Sequence, residues 1–284
     1  MYDVIVVGNG IMGATISAAL RQQHMEVLTI DDGREGSGTK PSGGHIKFSW
    51  SGMRPELYAP AFRLLDDLWG LNEEKFLILP QNKEDTLFRL DIDLMRAKAS
   101  ENCHIGKVTR ITGSSNFVEV LLGIGEQRYR ARYLVLATGV WANELVNTGT
   151  DIQSKTGVSF RAKGQLKKQF IKQWAPNKQI VAHQQSTDQI WIGDGSALLN
   201  KNWTESRTIE CHKRCIASLS FNHPFVNTLV GNRPYVSKEQ LGGDPCYFRQ
   251  LSPRTYVVTG AGKRGTIASA WASLQLIAHL DPRI

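Results

Sequence analysis

Cysteine is scarce in this chain, with four residues among 284. So few thiols in a chain of this length do not form the disulfide framework of a small secreted domain, and reduced cysteines are expected. Cys211 and Cys215 lie four residues apart in a segment, residues 204–219, that has the pattern of a helix. Because no second cluster with metal-ligand spacing accompanies them, the pattern favours one packed helix face and no metal site.

Long apolar runs are also absent. No stretch approaches the ~18 residues that a membrane-spanning helix needs, and the first residues carry no basic region of a signal peptide. The composition, 41% hydrophobic and 21% charged, excludes a disordered chain and a coiled coil. We therefore expect a cytoplasmic globular protein of one large or two modest domains, without a membrane partner.

The first thirty residues have the pattern of a strand, a glycine-rich turn, a helix and a second strand. Residues 3–7 form a short β-branched run, typical of a strand buried on both faces of a parallel sheet. The turn GNGIMG follows at residues 8–13, and Asp31 ends the second strand. A glycine-rich turn in this context, with an acidic residue about twenty positions later, is the dinucleotide-binding fingerprint.

Each residue type in this fingerprint has a physical role. Gly8 permits the tight turn, Gly10 lets the backbone approach a pyrophosphate, and Gly13 lets the helix pack on the strand. The phosphates are expected at the free N–H groups of the helix N-terminus, and Asp31 is expected to accept hydrogen bonds from ribose hydroxyls. The alternative is a tight strand-to-helix turn that binds no ligand.

The rest of the chain predicts a discontinuous cofactor domain with an inserted second domain. A polar, glycine-rich loop at residues 34–44 is expected to run over the cofactor site. Patterns typical of helices occur within residues 51–85, at 91–99 and from about 266 to 279. Patterns typical of strands occur at residues 107–111, 117–122, 129–136, 158–161, 165–171, 189–193 and 256–259. The predicted cofactor domain comprises residues 1–48, 86–150 and 229–284, and the predicted substrate domain comprises residues 49–85 and 151–228.

Several segments, in the correct order, resemble the FAD-dependent amine oxidases of the D-amino-acid oxidase and glycine oxidase type. These segments are residues 4–13 with Asp31, 39–44, 135–142, 158–165, 231–234 and 256–265. The resemblance implies an α/β fold, in which a discontinuous Rossmann-like FAD-binding domain carries a smaller antiparallel β-rich substrate domain. It also implies noncovalent FAD, because the surroundings of Cys246 do not match the position at which sarcosine oxidases tether their flavin.

The resemblance also implies which residues contact the cofactor. They are Gly8, Gly10, Ile11, Met12, Gly13, Asp31, Asp32, Ser42, Gly43, Gly44, Val108, Ala137, Thr138, Gly139, Trp141, Gly260, Gly262, Lys263, Arg264, Gly265 and Thr266.

Three residues are catalytic candidates by the same resemblance. Arg233 stands where the family grips the substrate carboxylate, a task that suits the guanidinium fork, and its alternative role is a structural salt bridge. Lys263 stands where glycine oxidases carry a second basic residue, and it is alternatively a solvated surface charge. His45 is expected near the flavin ring, and it is alternatively a structural histidine.

The implied chemistry is oxidation of the carbon–nitrogen bond of an amino-acid-like amine, with molecular oxygen as the electron acceptor. The implied substrates are either free amines, such as glycine, sarcosine or a D-amino acid, or a glycine-like group attached to a nucleobase. A third possibility is a non-catalytic flavoprotein accessory or a nucleic-acid-binding module.

The charge balance bears on this choice, because 34 basic residues against 26 acidic ones leave a net charge of +8. Many of the basic residues fall in the predicted substrate domain: Arg161, Lys163, Lys167, Lys168, Lys172, Lys178, Lys201, Arg207, Lys213 and Arg214. They are accompanied by Trp174, Trp191 and Trp203. We interpret this set either as a surface that holds DNA or tRNA with an amino-acid-modified base, or as a solvated face with tryptophans in the core.

Overall fold

The computed structural model describes residues 1–123, 127–176, 178–199, 204–219 and 224–280. The strands are β1 Tyr2–Val7, β2 Val27–Asp31, β3 His45–Ile46, β4 Leu71–Leu79, β5 Lys83–Leu90, β6 Cys103–Ile105, β7 Val108–Gly113, β8 Val118–Leu122, β9 Gln127–Leu136, β10 Gln153–Lys163, β11 Phe170–Ala175, β12 Lys178–Ser186, β13 Gln189–Gly193, β14 Ala197–Leu199, β15 Phe225–Tyr235, β16 Tyr247–Ser252 and β17 Thr255–Thr259. The α-helices are α1 Ile11–Gln22, α2 Phe48–Ser51, α3 Pro55–Trp69, α4 Ile92–Ser100, α5 Ala142–Leu145, α6 Glu205–Ile216, α7 Lys238–Leu241 and α8 Gly265–Leu280, and short 3-10 helices span Gly139–Trp141 and Gly262–Arg264.

The first sheet has the strand order β16-β17-β9-β1-β2-β6, and β7 and β8 extend it along the first half of β9. The pairs β17/β9, β9/β1, β1/β2 and β2/β6 are all parallel. Val4 to Val7 are buried, as a parallel strand covered on both faces requires. This is the Rossmann-like sheet that the sequence predicts.

Helices α1, α3 and α8 cover one face of the first sheet. They share one apolar core with Val4 and Val6 of β1, and this core includes Ile16, Leu65 and Leu276, all fully buried. Small side chains let α1 and α8 approach closely, and the Ser269 hydroxyl donates a hydrogen bond of 3.1 Å to Thr15 Oγ1. The packing fixes the N-termini of both helices at the same edge of the sheet.

The second sheet is almost wholly antiparallel. Its order is β14-β10-β13-β12-β11-β4-β5-β3, with β15 paired to β10, and only β11/β4 is a parallel pair among the described strands. One face packs on α6 through Phe160, Ile192 and the buried thiols of Cys211 and Cys215. The opposite face carries Val181 and Trp191 toward the first sheet.

Two details differ from the sequence prediction. The strand expected at residues 165–171 begins only at Phe170, because the Leu166 amide donates to the Gln184 side chain at 2.9 Å and holds the preceding segment as a loop. The predicted domain limits at residues 86 and 229 fall inside strands β5 and β15. Both strands, together with β3, belong to the second sheet, and the division into two domains stays a prediction.

Among the described residues, no helix has the length and apolar character needed to span a membrane. The same residues contain no group of histidine, cysteine and acidic side chains arranged to hold a metal ion.

Candidate functional site

A cavity of about 880 Å³ lies between the two sheets. One side is formed where the parallel strands of the first sheet end, and the other side is formed by the second sheet. Ligands of open α/β sheets bind at the carboxyl ends of the strands, so the cavity has the expected location. All the predicted site residues line it except Gly13 and Gly260.

Those two glycines have packing roles. A Cβ on Gly13 would collide with the carbonyl oxygen of Gly8, so this glycine lets α1 begin directly against the turn. A Cβ on Gly260, which has φ +76°, would lie 2.6 Å from Val236 Cγ2. Both glycines lie outside the cavity lining, and their assignment as cofactor contacts stays a prediction.

The turn between β1 and α1 forms one end of the cavity. Gly8 has φ +103°, and a Cβ there would lie 2.5 Å from the Ala137 carbonyl oxygen. Gly10 precedes α1 without a side-chain cap, and the first turn of the helix has no acidic residue. The first amides of a helix lack intrahelical acceptors, so this turn presents N–H groups and a positive dipole end to an anion.

Asp31 closes the turn from the neighbouring strand. Its carboxylate accepts hydrogen bonds from the Asn9 amide at 2.6 Å and the Gly33 amide at 2.7 Å. A carboxylate oxygen has two lone pairs, so each oxygen keeps one for a further donor in the cavity. Asp32 instead pairs with Arg34, at 3.1 Å.

Two residues of the loop at 34–44 are site residues that the sequence reasoning missed. Thr39 Oγ1 accepts a 2.9 Å hydrogen bond from the Ile11 amide and so joins the loop to the start of α1. Arg34 pairs with Glu144 at 2.9 Å and lies 4.9 Å from the centroid of the Trp141 ring. Thr39 belongs to residues 39–44, one of the segments that resemble the family, so this resemblance could have identified it as a site residue.

His45 lies in a buried aromatic cluster at the wall formed by the second sheet. Its Nε2 lies 3.0 Å from His183 Nδ1, and the His183 ring stacks on Trp191 at a centroid distance of 5.2 Å. Burial, with a smaller contribution from Arg89, lowers the pKa of His45 to about 3. Burial and the neighbouring His45 likewise hold the pKa of His183 well below its usual value. Both imidazoles are therefore neutral at pH 7.

Arg233 and Lys263 line another part of the cavity, and Lys155 lies behind them with its Nζ 3.2 Å from the centroid of the Tyr235 ring. Arg233 on β15 is the cross-strand partner of Lys155 on β10, and its Nη2 lies 3.5 Å from where a Cβ on Gly157 would stand. Lys263 Nζ lies 3.9 Å from the corresponding point on Gly195. The missed residue here is Lys155, whose proximity to Arg233 depends on a pairing between distant strands.

These cations lack close acidic partners. Within the described ranges, no carboxylate lies within ion-pair distance of Arg233, Lys263 or Lys155. Burial lowers the pKa of Lys263, and the like charges of Arg233 and Lys155 lower it further. The nearby carboxylate of Asp194 opposes this shift, but Arg214 already binds it at 2.7 Å. The arrangement carries an excess of positive charge that an anion would neutralise.

Arg264 has a structural contact as well as its place on the cavity wall. Its Nη1 donates to the Ser51 carbonyl oxygen at 3.3 Å, which links the start of α8 to the segment before α3.

Several of the other basic residues in the predicted substrate domain are paired internally. Arg161 is 6% exposed and pairs with Asp93, and Arg214 pairs with the fully buried Asp194. Lys168 pairs with Glu84, and Arg207 pairs with Glu210. Of the tryptophans, Trp191 is buried and Trp174 donates to the Asp194 carbonyl oxygen. Lys201 and Trp203 lie outside the described residues.

The cysteines lie away from the cavity wall in the described part of the chain. Cys246 is fully buried, with its Sγ 3.9 Å from the Ala268 carbonyl oxygen, in the core beneath α8. Burial raises its pKa above the usual range of a thiol. The structure therefore offers no thiol for a covalent bond at this wall.

No protein-family model matches the sequence, and no curated protein matches it. Solved structures match it over nearly its whole length. Iminodiacetate oxidase from Chelativorans sp. BNC1 is 14% identical with a TM-score of 0.74, over 97% of this chain and 94% of that one. Glycine oxidase from Geobacillus kaustophilus is 16% identical with a TM-score of 0.74, over 98% of this chain and 94% of that one. Glycerol-3-phosphate dehydrogenase from Bacillus halodurans, complexed with FAD, is 15% identical with a TM-score of 0.65, over 98% of this chain and 64% of that one. The chain therefore has the α/β fold of the glycine oxidase and D-amino-acid oxidase type.

Proposed function

We propose that the protein is an FAD-dependent oxidoreductase that oxidises the carbon–nitrogen bond of a small amine carrying carboxylate groups. The observation that carries this proposal is the group of Arg233, Lys263 and Lys155, which lack carboxylate partners among the described residues. Arg233 and Lys263 line the same cavity as the glycine-rich turn of the dinucleotide fingerprint. The names of the solved structures with this fold, glycine oxidase and iminodiacetate oxidase, support the same chemistry.

The described residues fit noncovalent FAD. Gly10 and Met12 would hold the pyrophosphate through backbone amides, and Asp31 would accept hydrogen bonds from the ribose. Thr39 already accepts from the Ile11 amide, but the absence of side chains on Gly8 and Gly10 leaves the neighbouring amides accessible to phosphate oxygens. When bound, FAD supplies a two-electron acceptor for hydride from the carbon next to nitrogen.

The protein's own groups would hold the substrate. The Arg233 guanidinium can bind one carboxylate through two parallel hydrogen bonds, and Lys263 adds a second cation beside it. A substrate with one carboxylate leaves positive charge on Lys155 and Lys263 without an anion. We therefore expect a dicarboxylic amine, such as iminodiacetate, to bind more tightly than glycine.

Oxidation converts the amine into an iminium, which water hydrolyses to an oxo acid and an amine or ammonia. Molecular oxygen then takes two electrons and two protons and becomes hydrogen peroxide. The chain's contribution is to position the substrate and to neutralise its charge.

Anaerobic titration of the purified flavoprotein tests this function. Glycine, sarcosine, iminodiacetate and succinate are added separately, and the flavin absorbance is followed. We expect bleaching by iminodiacetate at lower concentration than by glycine, and none by succinate, which has two carboxylates but no amine. A protein purified without flavin, or a bound flavin that no amine reduces, would contradict the proposal and would favour a non-catalytic accessory.

The same titration also tests a substrate that is attached to a nucleobase. The internal pairs of Arg161 and Arg214 weaken the interpretation of the basic residues as a nucleic-acid surface. Glycyl-modified DNA or tRNA is therefore expected to leave the flavin oxidised. Bleaching by modified nucleic acid alone would replace the small-molecule proposal with a polymer substrate.

A further inference from the structure

A chain of four side chains connects the exposed Asp93 to the cavity wall. Asp93 Oδ2 accepts a hydrogen bond of 3.1 Å from Gln185 Nε2. Gln185 Oε1 lies 3.0 Å from His183 Nε2. His183 Nδ1 lies 3.0 Å from His45 Nε2, and His45 lines the cavity.

The direction of every hydrogen bond in this chain follows from its first member. An ionised carboxylate only accepts, so Gln185 must turn its NH₂ group to Asp93 and its carbonyl oxygen to His183. His183 must then carry its proton on Nε2, which leaves Nδ1 as an acceptor. His45 must therefore donate from Nε2, and its Nδ1 is left with a free lone pair.

The surroundings favour this neutral arrangement. Arg161 forms an ion pair with Asp93 at 3.1 Å, and Arg89, the strand partner of His45, is paired with Glu74 at 2.6 Å. Phe76 and Trp191 pack against His45 at centroid distances of 5.6 and 5.2 Å. Burial among these rings and the nearby charge of Arg89 disfavour an imidazolium at His45.

The free nitrogen lies at the cavity wall. A Cβ on Gly43, which also lines the cavity, would lie 2.6 Å from His45 Nδ1. Among the described residues, no hydrogen bond occupies this nitrogen. Only glycine at position 43 leaves it open.

We propose that Asp93, Gln185 and His183 form a positioning relay that fixes His45 as its Nε2–H tautomer and presents the Nδ1 lone pair to an N–H or O–H donor in the cavity. The assignment of the tautomer does not depend on the proposed function. The identification of the donor as the substrate amine rests on the proposed function. His45 orients this donor and does not take its proton. A group with a pKa of about 3 is a much weaker base than an aliphatic amine, whose conjugate acid has a pKa of about 10.

The relay is tested by ¹⁵N NMR of the flavoprotein labelled at histidine, because protonated and bare imidazole nitrogens have widely separated shifts. The variant His45→Asn assigns the His45 signals. We expect a bare Nδ1 and a protonated Nε2 at neutral pH. A protonated Nδ1, or a mixture of tautomers in the wild-type protein, would overturn the proposal.

Substitution of the glutamine provides the second readout. Gln185→Leu removes the acceptor from His183 and is expected to give mixed tautomers at His45, with a several-fold higher KM for the amine and unchanged flavin content. Gln185→Glu restores an acceptor and is expected to restore the single tautomer, whereas an unchanged His45 spectrum in folded Gln185→Leu would refute the relay. Gln173→Leu, the same change at an exposed strand position of the same sheet, is the matched control. If no amine reduces the flavin, the NMR result still decides the relay.

Discussion

The two sides of the cavity differ in the kind of chemical groups that they present. The first sheet contributes glycines and backbone amides around Gly8 and Gly10, while the second sheet contributes charged and aromatic side chains such as Arg233 and His45. The backbone side is suited to groups that every dinucleotide shares, and its turn leaves no room for a Cβ on Gly8 or Gly13. The side-chain side can change its substrate by single substitutions, because its strands are held by pairing that does not depend on those side chains.

The largest effect on stability and flavin content is expected where an added methyl group would collide with a backbone atom. Gly13→Ala should destabilise the protein by about 3 kcal/mol or abolish flavin binding, since overpacking against a carbonyl oxygen forces α1 away from the turn. Urea unfolding and the flavin content of the purified protein measure this. Gly113→Ala, where a Cβ meets nothing within 4 Å, is the control. Equal unfolding free energies and equal flavin contents for the two variants would show that the turn accepts an added Cβ, which would contradict this difference between the two sides.

The next effect concerns the side-chain side alone. Arg233→Met should lower kcat/KM for a carboxylate amine by a few hundred-fold, about 3 kcal/mol, because the substrate charge loses its charged hydrogen-bond partner. Flavin content should stay unchanged, because the glycine side is intact. Arg63→Met, at an exposed position of α3, is the control. Unchanged kinetics would exclude Arg233 from the site.

The pH dependence of the free energy of unfolding tests the side-chain side, where His45 lies, separately from the glycine side. Because the pKa of His45 falls to about 3 on folding, the unfolded chain binds more protons between about pH 6.5 and pH 3. The free energy of unfolding should therefore decrease on acidification by about 1.4 kcal/mol per pH unit for this group. His45→Asn should show a shallower decrease than the wild type, and His24→Asn, at an exposed histidine, should not. Parallel curves for all three proteins would contradict the assignment.

The smallest effect sharpens the substrate prediction. Lys155→Met should raise the KM for iminodiacetate about tenfold, roughly 1.4 kcal/mol, and the KM for glycine by much less. The difference arises because the charge of Lys155, which lies beside Arg233 and acts on Lys263, is expected to attract a second carboxylate. Lys98→Met, in the last turn of α4, is the control. An equal change in KM for both substrates would show that Lys155 contributes only to the overall positive potential of the site and does not favour a second carboxylate.

The backbone side of the cavity was predictable from the sequence, and much of the side-chain side was not. Gly8, Gly10 and Asp31 lie within one local unit, whose turn and helix are determined by nearby residues. Lys155 meets Arg233 only because β10 and β15 pair across a long stretch of chain. His183 belongs to β12, a strand that the periodicity did not indicate. Long-range strand register depends on the whole fold, so local patterns carry little information about it.

The position of β17 in the first sheet has a consequence for biosynthesis. This strand pairs with β9, and the segment that follows it, from Ala261 to Ile267, lines the cavity. A nascent chain that has not yet released residues 261–267 lacks this part of the cavity wall, although the glycine-rich turn emerges first. The cavity is therefore complete only after nearly the whole described chain is synthesised, and until then the C-terminal part of β9 lacks its β17 partner and presents an open edge to chaperones or to other nascent chains.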